Sequence, residues 1–118
     1  MFRNSNFDKN IGSWNTGQVT NMRDMFRDNG NFDQDISGWD FSGITNSDNL
    51  RNFFTNGELD EDNYDALLIR WAEQADGVVL RNMVVDMGDS EYDSNAAASA
   101  RSTLINTYGW SISDGGRK

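Results

Sequence analysis

The chain has 118 residues, 10 Lys or Arg, 19 Asp or Glu, no His, no Cys and a formal net charge of -9. This excludes a disulfide framework, a thiolate nucleophile or metal site, and imidazole-based acid–base or metal chemistry. It also argues against nucleic acid and anionic membrane as partners, because phosphate contacts need clustered Lys and Arg.

A mean hydropathy of -0.73, with 4 Trp, 7 Phe and 5 Met, points to a thin, elongated fold that buries few but large side chains. No apolar run reaches signal-peptide or membrane-spanning length, and Met1 is followed at once by Phe2 and Arg3. Export is expected to be encoded elsewhere, or the chain is a fragment.

From the N-terminus, a repeat dominates. Met1-Phe2-Arg3 recurs as Met25-Phe26-Arg27, and Asn6-Phe7-Asp8 as Asn31-Phe32-Asp33. Ile11 and Trp14 recur as Ile36 and Trp39, and Val19-Thr20-Asn21 as Ile44-Thr45-Asn46. Met22, Met25 and Phe26 recur as Leu50, Phe53 and Phe54. The steps are 24 residues (Met1 to Met25) and 28 (Met25 to Phe53), with polar insertions near Gly30 and Ser47-Asp48-Asn49. Met22-x-x-Met25-Phe26 has helical spacing and predicts one short helical turn. Ile-x-x-Trp predicts a short strand. Such units bury their apolar sides only against each other, so Phe7, Phe32, Ile11, Ile36, Trp14 and Trp39 are expected in the core.

The pattern stops near Phe54. Asp60 is then expected to cap a helix near 61–75, with Tyr64, Leu67, Leu68, Trp71 and Ala75 on one face and Leu59 stapled onto Tyr64. Val78-Val79-Leu80 and Val84-Val85 read as extended edges and Met87-Gly88-Asp89-Ser90 as a turn. A second helix is expected near 95–108, carrying Ala97, Ala100, Leu104, Ile105 and Tyr108 inward and ending at Gly109. Trp110-Ser111-Ile112 predicts a last short strand before a polar tail from Asp114 to Lys118. The expectation is an α/β fold. A short leucine-rich-repeat-like solenoid of about two repeats occupies 1–59, and a two-helix C-terminal capping module occupies 60–118.

The stretches MFRDNGNFDQDISGWDFSGITN (25–46) and NFDKNIGSWNTGQVTNMRDMF (6–26) resemble the repeat of the BspA-like leucine-rich-repeat surface proteins, first noted as a domain of unknown function in mycoplasma surface proteins. NYDALLIRWAEQ (63–74) and YGWSISDGG (108–116) are similar to the tail that often follows those repeats. The resemblance implies adhesion or ligand recognition in an extracellular, cell-surface or virion-associated setting, with no shared catalytic site.

The expected function is therefore a non-catalytic recognition module for a protein or glycan. Candidate contact residues stand at positions that vary between units: Lys9, Ser13, Asn15 and Gln18, against Gln34, Gly38, Asp40 and Gly43. The alternatives are a structural capping or assembly piece, with a contact edge at 78–87, and a carboxylate-pair glycosidase built on Asp33, Asp35 and Asp40. The glycosidase needs two carboxyls across a cleft, one with a raised pKa, which exposed aspartates do not supply. The carboxylate-rich turns at Asp8, Asp33, Asp35 and Asp60 to Asp62 leave a weak calcium site as an alternative, but no EF-hand loop is present and Asp86-Met87-Gly88-Asp89 lacks the ligand spacing, so no metal or cofactor is expected.

Overall fold

The computed structural model describes residues 2–77 and 81–118, so the edge expected at 78–80 lies outside the described residues. Residues 2–60 contain neither helix nor strand and run as a succession of turns. The helical turn expected at Met22–Phe26 and the strand expected at Ile11–Trp14 are both absent.

The reason lies in the direction of the backbone amides. Met25 N donates back to Met22 O and Arg27 N to Asp24 O, both at 3.2 Å. The amides between them leave the segment. Met22, Asp24, Phe26 and Asp28 donate to Asn49, Arg51, Phe53 and Thr55 carbonyls at 2.8–3.0 Å. A regular helix would spend all these amides internally. The alternation instead needs left-handed residues, and Asp24 and Asp28 have φ of 59° and 60°. Asn and Asp tolerate that region best among residues with a Cβ. Asn4, Asp28 and Asn56 (φ 54°, 60° and 62°) fall at matching places in successive units, as do Asp24 and Asn52 (φ 58°).

These bonds join the chain into layers. Phe2 N and Asn4 N donate to Met25 O and Arg27 O at 2.8 Å, joining the first layer to the second. Side chains reinforce the joint. Trp39 Nε1 donates to Ile11 O at 2.9 Å, and Thr16 Oγ1 donates to Asp40 O and accepts from Asp40 N. Asn29, fully buried, donates to Phe7 O and accepts from the Asn31 and Phe32 amides. Inside the joint runs an aromatic column, with ring centroids 5.6 Å apart for Phe2–Phe26 and 4.9 Å for Phe26–Phe54. Phe7 stacks on Phe32 at 6.2 Å.

Layering continues past residue 60. Helix α1 (Glu61–Gly77) starts where Asp60 Oδ1 accepts the Asn63 amide at 2.9 Å. It buries Tyr64, Leu67, Leu68, Trp71 and Ala75. Arg70 and Gln74 donate to Trp39 O, and Gln74 Oε1 accepts from Phe41 N. Strand β1 (Val84–Asp86) lies beside the third layer, with Val84 N donating to Ser47 O and Phe54 N to Asp86 O. Next comes β2 (Glu91–Tyr92), and then α2 (Asn95–Asn106), N-capped by Ser94, whose side chain accepts from Ala97 N. The chain returns as β3 (Ser111–Ser113), parallel to β1, and β4 (Gly116–Arg117), parallel to β2.

Four expectations need correction. Trp14 is 44 % exposed and not in the core, because no described residue covers it in the way that Ile11 covers Trp39. Ile105 is half-buried, since α2 turns Ala97, Ala100 and Leu104 inward. Residues 114–118 are not a loose tail, because Asp114 is held by Arg101, Gly116–Arg117 pair as β4, and Lys118 N donates to Tyr92 O. The described residues measure 35 × 33 × 23 Å and are not thin or elongated, because α1 packs on the layers and α2 packs on α1.

Candidate functional site

The structure places Lys9, Ser13, Asn15 and Gln18 on the surface of the first layer, all exposed. Their counterparts in the second layer do other work. Gln34 is half-buried and donates through Nε2 to Asp8 Oδ1 at 2.8 Å. Asp40 is half-buried, accepts the Ser42 amide at 2.9 Å, and is joined by its backbone to Thr16. Gly43 has no side chain because a Cβ there would stand 2.5 Å from Val19 O.

Two pairs of candidates come together. Lys9 and Gln34 both act on Asp8, one through space and one by hydrogen bond. Asn15 Oδ1 and Asp40 Oδ2 both lie beside Gly17, 3.5 and 3.0 Å from where a Cβ would stand. Ser13 and Gln18 join neither pair.

Beneath these side chains runs a carboxylate ladder. Asp8 Oδ1 accepts the Asp33 amide, and Asp33 Oδ1 accepts the Asp60 amide and the Asn63 side chain, at 2.9–3.1 Å. The Gln34 amide and then the Asp33 N–H hold the Asp8 carboxyl below its ordinary value. The Ser42 hydroxyl and then its N–H do the same for Asp40. These aspartates are occupied as turn acceptors.

A second polar cluster was not legible in the sequence. The Asp114 side chain is 2 % exposed and receives Arg101 on both oxygens, at 2.9 and 3.1 Å. It also accepts from Tyr64 OH at 2.5 Å and Gly116 N at 3.0 Å. Burial, and then the bond to Asp114, push the Tyr64 hydroxyl far above the ordinary phenol range, so it stays a proton donor. Both carboxylate oxygens are used, and the cluster clamps α1, α2 and the C-terminal strands together.

A groove of about 150 Å³ lies where the first layer runs into the second, lined by Trp14, Asn15, Thr16, Val19, Asn21, Met22, Arg23 and Met25. Trp14 and Val19 are the large apolar side chains exposed among the described residues. Sequence reasoning missed it by treating both repeats alike. Repeat position identifies equivalent residues, whereas exposure depends on what the described residues place beside them.

Among known families, the model described as "Mycoplasma protein of unknown function, DUF285" matches residues 1–72. No curated protein and no solved structure matches the chain. Among the described residues, no helix is long and apolar enough to cross a membrane.

Proposed function

The chain belongs to the DUF285 family, and we propose that it is a non-catalytic recognition module of a surface protein. In this reading the layers are a BspA-like leucine-rich-repeat solenoid, about two repeats long and closed by the helical module 60–118. The partner is a protein or glycan outside the cell or virion that carries it. The observation that supports this most is the division of labour between layers. Gln34 is spent on a layer joint with Asp8, and half-buried Asp40 is joined to Thr16 through its backbone, whereas Lys9, Ser13, Asn15 and Gln18 are exposed at the same repeat positions, Asn15 keeping only a local bond to Gly17 N. We assign contact to those four residues, with Gln34 and Asp40 positioning them. A net charge of -9 disfavours nucleic acid as the partner.

The test is binding to panels of glycans and extracellular-matrix proteins. The variant Lys9→Ala, Ser13→Ala, Asn15→Ala, Gln18→Ala should lose at least about tenfold in affinity, equivalent to 1.4 kcal/mol, without a change in melting. Unchanged binding would move the contact surface elsewhere.

A structural or assembly role is the second reading, favoured by the apolar groove beside exposed Trp14 and Val19. It expects the protein to self-associate on sizing. The contact edge considered for it at 78–87 lies partly outside the described residues.

A further inference from the structure

The chain holds two Asn-Gly pairs, Asn29-Gly30 and Asn56-Gly57. In such a pair the glycine nitrogen can close on the asparagine carboxamide, because the second residue has no Cβ to hinder the approach. The fold treats the two pairs in opposite ways. Asn56 is exposed, and its carboxamide donates to the Asp28 carboxylate at 2.7 Å. There the nucleophile is withheld, because Gly57 N–H donates to Phe54 O at 2.8 Å. At the other pair the glycine is open. Gly30 is exposed, a Cβ there would meet nothing within 4 Å, and among the described residues its amide has no hydrogen-bond partner. What the fold withholds there is the Asn29 carboxamide.

Asn29 is fully buried where the second layer meets the first. Its Nδ2 donates to Phe2 O at 3.4 Å and to Phe7 O at 3.1 Å. Its Oδ1 accepts from Asn31 N and Phe32 N, each at 3.1 Å. This setting fits an amide and not a carboxylate, which has no proton to donate. A carboxylate would serve the two N–H groups with one oxygen and set the other against two carbonyl oxygens, with its charge out of water. At Asn56 the same change would leave the new carboxylate in water beside Asp28.

We propose that Asn29-Gly30 is a self-modification site, inert in the closed fold, that turns an opening of the joint between the first two layers into an irreversible change. When the joint opens, the carboxamide leaves Phe2 O and Phe7 O. Gly30 N loses its proton and bonds to Asn29 Cγ, and the Cγ–Nδ2 bond breaks with release of ammonia. Water then opens the cyclic imide at either carbonyl. The net change is one water taken up and one ammonia lost, with nothing oxidised or reduced. The product is an aspartyl residue, or an isoaspartyl one in which the chain runs through the former side chain. Neither refits the joint, so every opening that goes on to react is lost to the folded population. The site uses none of Lys9, Ser13, Asn15 or Gln18, so this inference and the contact surface fail separately.

The test holds the 118-residue protein in mildly alkaline buffer at increasing urea, with the unfolded fraction read by circular dichroism. Trypsin cuts after Arg27, Arg51 and Arg70 and so puts Asn29 and Asn56 in different peptides, and mass spectrometry reads the deamidated fraction at each. Below the unfolding transition, reaction at Asn29 should be at least about a hundredfold slower than in full denaturant and should rise in proportion to the open population. Gly30→Ala should melt with the parent and slow the reaction in denaturant at least about tenfold. As mimics of the product, Asn29→Asp should lower the folded-to-unfolded ratio at least about a hundredfold, and Asn56→Asp no more than about threefold. An Asn29 rate that is the same in native buffer and in denaturant, or an Asn29→Asp protein that melts with the parent, would overturn the proposal. So would a Gly30→Ala protein that reacts in denaturant as fast as the parent.

Discussion

Trp39 shows how one side chain serves two needs. Its ring is fully buried between layers, which supplies apolar burial, and its N–H finds the Ile11 carbonyl at 2.9 Å. Without that acceptor a buried indole N–H would cost about 1–3 kcal/mol. Trp39→Ala should cost about 3–5 kcal/mol in a denaturant titration, and Trp14→Ala, at a 44 % exposed ring, well under half of that. Equal losses would mean that Trp14 is covered in solution.

The Asp8 carboxylate supports a prediction about acid. Its pKa is lowered in the fold by Gln34 and the Asp33 amide. The unfolded chain binds the proton first, near the ordinary value of 3.8. The contribution is therefore complete above that pH and is lost as pH falls through the lowered folded value. In melting curves at descending pH, Asp8→Asn should reduce the acid-dependent part of the loss. A pH profile that superposes on the parent's would remove Asp8 from the account.

Between elements, Asp114 is the point where helices and strands meet. Removing one partner of a buried ion pair strands the other, at about 3–5 kcal/mol. Asp114→Ala should approach that cost and release the amides of β3 and β4 to exchange. Tyr64→Phe removes one neutral-to-charged bond and should cost about 1.5–3 kcal/mol. If Asp114→Ala melts with the parent, the clamp does not hold these elements. Ser94→Ala, which deletes the N-cap of α2, should cost about 1 kcal/mol.

The elements differ in how far the sequence revealed them. Helices α1 and α2 were legible because Leu67, Leu68, Trp71, Ala97, Ala100 and Leu104 recur at helical spacing. The turn layers were legible as a repeat but misread as helix and strand. Met22, Met25 and Phe26 have helical spacing, yet the left-handed Asp24 and Asp28 turn alternate amides out of the segment. Extended edges at Val84-Val85 and Trp110-Ser111-Ile112 were legible, but their register in the ladder was not. In the ladder register, Met87 and Asp114 follow Phe2, Phe26 and Phe54, and neither is aromatic. The groove beside Trp14 was hidden too, because pattern finds equivalent residues and exposure depends on what lies beside them.

At the scale of the whole molecule, the bonds Phe54 N to Asp86 O, Asp89 N to Gly57 O and Asp60 N to Asp33 Oδ1 cross from the repeats into the C-terminal module. Third-layer groups such as Leu50, Phe53 and Phe54 are fully buried under α1 and β1 in the intact chain. A fragment of residues 1–59 exposes them and loses those bonds. It should be insoluble or unfolded by circular dichroism, whereas a folded, monomeric fragment would make 60–118 an independent domain.

The central claim is that one cooperative stack of layers runs from Phe2 to Arg117, and native-state hydrogen exchange tests it most directly. The amides of Asp24, Phe26, Phe54 and Met87 each bond to the following layer, at 3.0, 3.0, 2.8 and 2.7 Å. If the stack unfolds as a unit, all four should open with the same free energy and respond together to denaturant. If Asp24 and Phe26 instead open at a much lower free energy than Phe54 and Met87, the repeats and the helical module are separate folding units and the single stack is contradicted.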